Sequence, residues 1–299
     1  MTRHTVLRSM ILFAVTHLLL STAFASEPAQ QEYVARWTDT PPTIDGALDA
    51  EEYREAIPLH VILDDPLTPP GIVPEGTRYA LIPPDDSNDL SFTIYALYDD
   101  ENLYIAVDVV DDIVINDGPM YMGQEVTWND DDAEVFIDGD GVGNDCQMGR
   151  ASASKEGFQL AMDVGGDTGG VSPPKVPEFW EGAPGLRPDG YVVEFRISLS
   201  WIDMIDGEGE AFPGPGSSVG FNITVGDDDN GGEGYNMGTG VVEPTDSYGA
   251  WDGNSTGWHA QREDDWGTLY FEPPATSVAP SMWGHIKSLL RTLDRSPTH

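Results

Sequence analysis

Basic side chains are scarce in this chain of 299 residues, which has 14 Lys and Arg against 52 Asp and Glu and a formal net charge of −38. Between residues 26 and 274 the imbalance is nine basic against 51 acidic side chains. A surface this negative repels phosphate backbones and anionic lipids. Nucleic-acid binding and a basic membrane-binding patch are therefore disfavoured, and neutral ligands, cations and cationic partners remain.

Cysteine and histidine are also scarce. Cys146 is the single cysteine, so no internal disulfide can form. Only His60, His259, His285 and His299 lie outside the first 25 residues. The sequence contains no Ser-His-Asp pattern, phosphate-binding loop or zinc helix motif. Histidine-based catalysis therefore has few candidate residues.

No apolar run reaches the roughly 20 residues that a comfortable membrane span needs. The first 25 residues instead have the pattern of a secretory signal, with Arg3 and Arg8, an apolar stretch at 10–20 and a small-x-small site at 23–25. We expect cleavage near Ala25 and an extracellular or periplasmic protein. A membrane anchor is the alternative.

The composition divides the chain into four segments. We expect a signal peptide at 1–25, a polar leader at 26–37, one folded domain at 38–274 and a tail at 275–299. The tail carries a net positive charge, and its apolar residues have helical spacing. It could form a short helix that docks on the acidic body, it could lie on a membrane, or it could stay loose. Membrane binding is the least favoured of the three, because three basic residues attract lipid weakly.

Helical periodicity is rare in the body, which has many short strand patterns separated by Gly, Pro and Asp turns. Alternation at 91–98 places Phe92, Ile94, Ala96 and Tyr98 on one face. We predict strands at 91–98, 102–110, 133–138, 157–164, 191–199, 218–225 and 267–272, with weaker candidates at 34–38, 59–63 and 78–82. Short helical turns are predicted at 49–56 and 200–205. This pattern predicts an all-β fold, an antiparallel β-sandwich.

Aspartates are concentrated at three predicted turns. Ca²⁺ is bound by six to eight oxygen atoms from flexible acidic loops. The candidate ligands are Asp111, Asp112, Asp138, Asp140, Asp227 and Asp229. For each cluster the alternative is a solvated turn, because Asp and Gly are also turn residues. We predict at least one structural calcium ion in the body.

Six segments, in their order and spacing, resemble the family-9 carbohydrate-binding modules, which are sugar-binding domains often attached to xylanases. They are PPTIDGALD at 41–49, ALYDDENLYIAV at 96–107, WNDDDAEVFID at 128–138, YVVEFRI at 191–197, VGFN at 219–222 and WGTL at 266–269. The resemblance implies a sandwich of jelly-roll type, structural calcium and a carbohydrate held between two tryptophans. It also implies a role in polysaccharide breakdown, beside a separate glycoside hydrolase.

The resemblance assigns site residues in the segment 128–138. Trp128 lies six residues before Glu134. In the family pattern, this spacing holds one of the two stacking tryptophans and a carboxylate that accepts hydrogen bonds from sugar hydroxyls. The alternative is a tryptophan that covers the end of the core and an outward strand carboxylate.

The resemblance also implies a second tryptophan late in the chain and two cationic donors. Trp258, with Asn254 four residues before it, is the preferred candidate, and Trp251 is the other. Arg150 and Lys155 follow the strand that bears Glu134, and the family uses an arginine and a lysine there. The alternative for each is a simple charge partner for one of the many carboxylates.

Three other functions remain open on the sequence alone, and one of them is a purely structural or cell-surface module with a non-functional site. A glycoside hydrolase needs two carboxylates across the scissile bond, and this chain has many carboxylates. A haem-binding electron-transfer sandwich needs Met and His ligands, which Met120, Met122, Met148 or Met162 with His60 or His259 would supply. Haem is disfavoured because methionines commonly fill cores and loops. The sequence favours a secreted, non-catalytic carbohydrate-binding domain.

Overall fold

The computed structural model describes residues 31–62, 79–82, 84–116, 127, 130–141, 157–168, 175–205, 213–229, 247–251 and 266–274. These residues form twelve strands and one helix. The elements are β1 Glu32–Trp37, β2 Leu59–Ile62, β3 Tyr79–Ile82, β4 Ser91–Tyr98, β5 Asn102–Val110, β6 Asp132–Asp138, β7 Phe158–Asp163, β8 Trp180–Arg187, β9 Gly190–Ser198, α1 Leu199–Ile205, β10 Ser218–Asp227, β11 Ser247–Ala250 and β12 Gly267–Phe271.

The first of two sheets, sheet I, contains β2, β4, β5, β9 and β8 in that order. Strands β4 and β5 form the predicted hairpin, in which Ser91 lies opposite Val110 and Tyr98 lies opposite Leu103. The amide of Asp99 donates to the carbonyl of Asn102 at 3.0 Å and closes the turn. All neighbouring strands in sheet I are antiparallel.

The second sheet, sheet II, is built around β10. One edge of β10 pairs with β6 along nearly its whole length, and β7 extends the sheet beyond β6. The other edge pairs with β12 in its first half and with β11 in its second half. Strand β3 lies beyond β11.

Strand β1 connects the two sheets. Residues 32–35 pair in parallel with β12 of sheet II, and Arg36 and Trp37 pair in parallel with Leu97 and Tyr98 of sheet I. The other nine strand pairings in the described residues are antiparallel. The predicted all-β sandwich is confirmed, with β1 as a parallel exception.

The core lies between the inner faces of the two sheets. Phe92, Ile94, Ala96 and Tyr98 of β4 are all buried, as their alternation predicts. On sheet II the inner face carries apolar residues of β6, β7 and β10, which belong to the same cluster. Large rings complete the packing, since Trp180, Trp251 and Phe195 are fully buried.

A second, smaller apolar cluster lies on the outer face of sheet I. Leu97, Tyr104 and Ala106 project there and are covered by Tyr53 and by the partly buried Leu48. The helical turns predicted at 49–56 appear as hydrogen-bonded turns, while those predicted at 200–205 form α1. Within the described ranges, no helix is long and apolar enough to cross a membrane.

Candidate functional site

A row of polar side chains crosses the outer face of sheet II, where β7, β6 and β10 lie side by side. Glu134 of β6 is paired in register with Ala161 and Thr224. Gln159 donates from Nε2 to Glu134 Oε1 at 2.7 Å, and the Thr224 hydroxyl donates to Glu134 Oε2 at 2.6 Å. The carboxylate is therefore held from both sides, and Glu134 is only 1% exposed.

The outward direction of this row follows from the pleat of the strands. Successive side chains of a strand point to opposite faces. Val135 and Ile223 belong to the core, so their neighbours Glu134 and Thr224 point away from it. Asn222, which is buried, lies opposite Phe136 and shares this outer face.

Aspartates from several strand ends meet at one end of the sandwich. Antiparallel neighbours begin and end at the same edge of a sheet, so the loops there come close together. Asp89 precedes β4, Asp111 and Asp112 follow β5, Asp131 precedes β6, and Asp227 and Asp229 lie at the end of β10. Three inner and three outer carboxylates form two groups.

The inner group, which we call the buried triad, consists of Asp111, Asp131 and Asp227. A carboxylate oxygen of each residue lies within 4.8 Å of the other two, and all three residues are buried. Asp131 accepts from the amide of Asp228 at 3.0 Å and also from the amide of Ile115. These backbone donors fix the position of Asp131 between two loops.

The outer group, which we call the outer triad, consists of Asp89, Asp112 and Asp229. Their carboxylate oxygens also lie within 4.8 Å of one another, and Asp112 is exposed. The two triads use neighbouring residues at 111–112 and at 227–229, so they share two of the same loops.

Burial and mutual repulsion perturb the acidity of these groups. Burial first, and then the neighbouring Asp111, raise the pKa of Asp131 to about 9. Burial raises the pKa of Asp111 to about 6, and burial followed by Asp89 raises the pKa of Asp229 to about 6. Like charges at this distance oppose joint ionisation. A bound divalent cation would reverse this preference and keep the carboxylates ionised.

The donor set of the buried triad fits calcium. Ca²⁺ prefers carboxylate and carbonyl oxygens. Asp111 Oδ1 accepts from the amide of Ile113 at 2.8 Å, whereas the buried Oδ2 has no hydrogen-bond partner among the described residues. Buried oxygens of this kind are costly unless a proton or a cation satisfies them.

Comparison with known proteins places the chain in a family. The family model described as "Carbohydrate family 9 binding domain-like" matches residues 78–267. The chain belongs to this family. The residues that the family model matches include the polar row around Glu134 and the aspartates of both triads. The resemblance noted in the sequence is thereby confirmed.

Two solved structures resemble this family-9 domain. Both are a family-9 carbohydrate-binding module from Caldicellulosiruptor kristjanssonii, one in complex with cellotriose and one with glucose. Each is 17% identical in sequence to this chain, with a TM-score of 0.54. Each match covers 84% of this chain. It covers 98% of the chain in the cellotriose complex and 100% of the chain in the glucose complex. At this identity the similarity supports the β-sandwich fold. No curated protein matches the chain.

Most sugar-site candidates of the family-9 domain fall in segments beyond the described residues. These are Trp128, Asn254, Trp258, Arg150 and Lys155, and their roles stay predictions. Trp251 is described, and its ring is fully buried against Tyr33 and Phe221 with ring centroids at 6.2 and 5.5 Å. That position makes Trp251 a core residue and leaves Trp258 as the candidate for the second stacking ring.

The predicted metal ligands separate into three groups. Asp111 and Asp227 belong to the buried triad, and Asp112 and Asp229 belong to the outer triad. Asp138 and Asp140 lie at the opposite end of β6, away from both triads. Asp138 Oδ1 accepts from the amide of Gly141 at 3.3 Å, which is the turn role considered as the alternative.

Sequence reasoning missed two members of the triads. Asp131 lies in the motif WNDDDAEVFID, between Trp128 and Glu134, and Asp89 lies at the end of a long acidic connection before β4. Three consecutive aspartates before a strand were a usable signal for Asp131. Asp89 has no such signal in the sequence. It lies near Asp112 of the outer triad because β4 pairs with β5.

Proposed function

We propose that this family-9 domain is a secreted, non-catalytic carbohydrate-binding protein. In this proposal it holds a sugar between aromatic side chains, and it contributes to polysaccharide breakdown beside a separate glycoside hydrolase. The observation that carries the proposal is the family match over residues 78–267, within which the polar row around Glu134 supplies sugar-binding chemistry. The cellotriose and glucose in the two similar structures support a neutral, glucose-type ligand.

The proposed role of Glu134 is to accept hydrogen bonds from sugar hydroxyls. A carboxylate oxygen can accept more than one hydrogen bond. Gln159 and Thr224 hold the two oxygens in place, and each of these hydrogen bonds uses one of the two lone pairs of an oxygen. A group whose orientation is fixed before binding loses little conformational freedom when the ligand arrives.

The proposed role of Trp128 and Trp258 is to stack on the two faces of the sugar ring. The axial C–H groups of a pyranose pack on a flat aromatic face, and its hydroxyls meet polar groups at the rim. Trp128 lies three residues before Asp131, and Glu134 lies three residues after it. The segment that carries two proposed sugar contacts is therefore anchored at its middle in the buried triad.

Calcium is the proposed ligand of this acidic end. Asp111, Asp131 and Asp227 would hold it, and Asp89, Asp112 and Asp229 could hold a second ion. A bound divalent cation would neutralise repelling carboxylates and join the loops that follow β5 and β10 to the start of β6. In this way it would fix the position of the segment between Trp128 and Glu134.

Export is proposed from the sequence pattern at 1–25, which has two arginines, an apolar stretch and a small-x-small site. A carbohydrate-binding domain that meets polysaccharide outside the cell requires such a route. Mass spectrometry of the protein from the culture medium should give a chain that starts near Ser26.

A titration of tryptophan fluorescence tests the sugar site. Saccharide should change the fluorescence of the wild type, and Trp128→Ala should lose about 2 kcal/mol or more of binding free energy, as central aromatic anchors do. Trp283→Ala is the matched control, because Trp283 lies outside the family match. Full affinity in folded Trp128→Ala would place the sugar elsewhere.

A further inference from the structure

A cleft lies at the other end of the sandwich from the triads. It is bordered by the end of β1, the turns at 51–55 and the chain after β12, and it has a volume of about 560 Å³. Pockets for small molecules commonly have volumes of about 300–1,000 Å³. Trp37 in its wall pairs with Tyr98 at the end of β4, whereas Asp89 precedes the start of β4. Eight strand residues therefore separate the cleft from the outer triad by roughly 25 Å.

The indole of Trp37 is held in a fixed orientation in the wall of this cleft. Its Nε1 donates to Asp39 Oδ1 at 3.1 Å. Its ring meets the ring of Tyr98 edge to face, with centroids 5.4 Å apart and planes at 89°. Tyr98 is itself fixed, because its hydroxyl donates to the carbonyl of Glu272 at 2.6 Å. Trp37 is nevertheless partly exposed, in contrast to the fully buried Trp180 and Trp251.

Charged groups of both signs surround Trp37. Arg36 and Arg54, two of only nine basic side chains between residues 26 and 274, line the cleft. Arg36 pairs with Glu272 at 2.5 Å, and its side chain is 41% exposed. Arg54 is 61% exposed and contacts Glu55 at 3.2 Å. Part of the donor capacity of both guanidinium groups is therefore unused.

The carboxylates of the cleft supply acceptors. They are Asp39, Glu51, Glu52, Glu55 and Glu272. Glu52 is held in place, since it accepts from the hydroxyl and the amide of Thr43 at 2.9 and 3.2 Å. With two cations and five anions the cleft repels anionic ligands, and it presents both hydrogen-bond donors and acceptors. A neutral ligand that both donates and accepts hydrogen bonds fits this set.

We propose that the cleft around Trp37 is a second saccharide-binding site, distinct from the one at Glu134. A sugar presents an apolar C–H face to an aromatic ring and hydroxyls that both donate and accept. Trp37 provides the ring, Arg36 and Arg54 provide donors, and the carboxylates provide acceptors. This inference rests on the proposed carbohydrate-binding function. A domain with two such sites would be bivalent for a polysaccharide chain, and its avidity would exceed the affinity of either site alone.

Calorimetric titration of the full chain with cellotriose, carried to millimolar sugar, tests the second site. The variants are Trp128→Ala, Trp37→Ala and the double variant. The wild type should bind at two sites, each single variant should bind at one, and the double variant should bind at none. Arg54→Ala, at an exposed position that the fold does not need, should weaken the second site at least tenfold even if Trp37→Ala fails to fold.

The outcomes separate the two proposals. Loss of all binding in folded Trp128→Ala, with full binding in Trp37→Ala and Arg54→Ala, would overturn the second site and leave the proposed function intact. Retained binding in the double variant together with unchanged binding in Arg54→Ala would also overturn it. Absence of wild-type binding to cellotriose and to a wider panel of neutral glycans would overturn both proposals.

Discussion

Glu194 of β9 accepts a hydrogen bond from the hydroxyl of Tyr53 at 2.9 Å. Its other oxygen accepts from the amides of Asp45 and Gly46 at 3.0 and 2.8 Å. One buried carboxylate thus joins the segments PPTIDGALD and YVVEFRI, which are far apart in sequence. These motifs have a structural role, because they hold the segment 41–56 on the outer face of sheet I.

The first prediction concerns pH. Burial raises the pKa of Glu194 above its ordinary value of 4.5, and the hydrogen bond from Tyr53 opposes the rise. Because the folded-state pKa is raised, the stability linked to this group is present below the unfolded value and is lost as pH rises through the folded value. Glu194→Gln has no ionisable group at this position, so it should not lose this stability as pH rises.

We therefore expect the unfolding free energy of the wild type to fall relative to that of Glu194→Gln as pH rises above the ordinary value of 4.5, until Glu194 is ionised in the folded state as well. Denaturant titration at each pH measures it. Glu101→Gln, at an exposed position, is the matched control. Because it keeps Glu194, its unfolding free energy should fall relative to that of Glu194→Gln as the wild type's does. A difference between wild type and Glu194→Gln that does not change with pH would contradict the assignment.

The second prediction concerns Gly46, whose φ is +80°. A Cβ at this position would overlap the carbonyl group of Pro184, so alanine adds a backbone clash to the strain of a left-handed conformation. Gly46→Ala should cost about 3 kcal/mol or more. Gly216 has a similar φ of +85°, but the nearest atom to its Cβ would be 3.8 Å away.

Gly216→Ala is therefore the matched control, with an expected cost of about 1 kcal/mol. Chemical denaturation of both variants gives the comparison. Equal losses in the two variants would show that the approach of Gly46 to β8 does not matter for stability.

The third prediction concerns calcium. Binding at 100 times the dissociation constant stabilises the folded state by about 2.7 kcal/mol, which corresponds to a rise in melting temperature of about 5 °C or more. Calcium should produce this rise beyond the effect of sodium at equal ionic strength. Asp131→Asn removes a charge from the buried triad and should abolish the calcium-specific rise.

Asp140→Asn removes the same charge outside both triads and should retain the rise. Melting curves in calcium, in matched sodium and with chelator provide the measurement. Identical curves of the wild type in calcium and in sodium would exclude a specific site.

The fourth prediction separates binding from catalysis. If Glu134 accepts hydrogen bonds from a sugar, Glu134→Gln should weaken affinity moderately, because the amide keeps one acceptor oxygen. If Glu134 were a catalytic acid or nucleophile, the variant would lose turnover while it kept binding. The assay is release of reducing sugar from xylan and cellulose. Release by the wild type that disappears in Glu134→Gln would make the protein a glycosidase.

The strands with alternating residues could be predicted from the sequence, and two others could not. The bounds predicted for β4 and β5 match the structure, because Phe92 and Ile94 alternate with polar residues and Asp99 marks the turn. Strand β8 was missed because Pro184 and its neighbouring glycines break any alternation. It is found at the edge of sheet I, where a missing amide donor is tolerated. Strand β11 has only four residues.

The acidic clusters could be predicted, but not their grouping. Carboxylates at 111–112 and 227–229 are visible in the sequence, whereas their meeting with Asp131 and Asp89 depends on which strands are neighbours. The burial of Trp251 likewise depends on packing against Tyr33 and Phe221. Local patterns report local structure, and these contacts join distant parts of the chain.

Binding of the purified protein to a panel of neutral glycans, with and without calcium, tests the central claim most directly. The panel should include glucose, cellotriose, cellulose and xylan. We expect saturable binding to at least one member, weaker binding after chelation of calcium, and no release of reducing sugar. Absence of binding to every glycan in the presence of calcium would contradict the account.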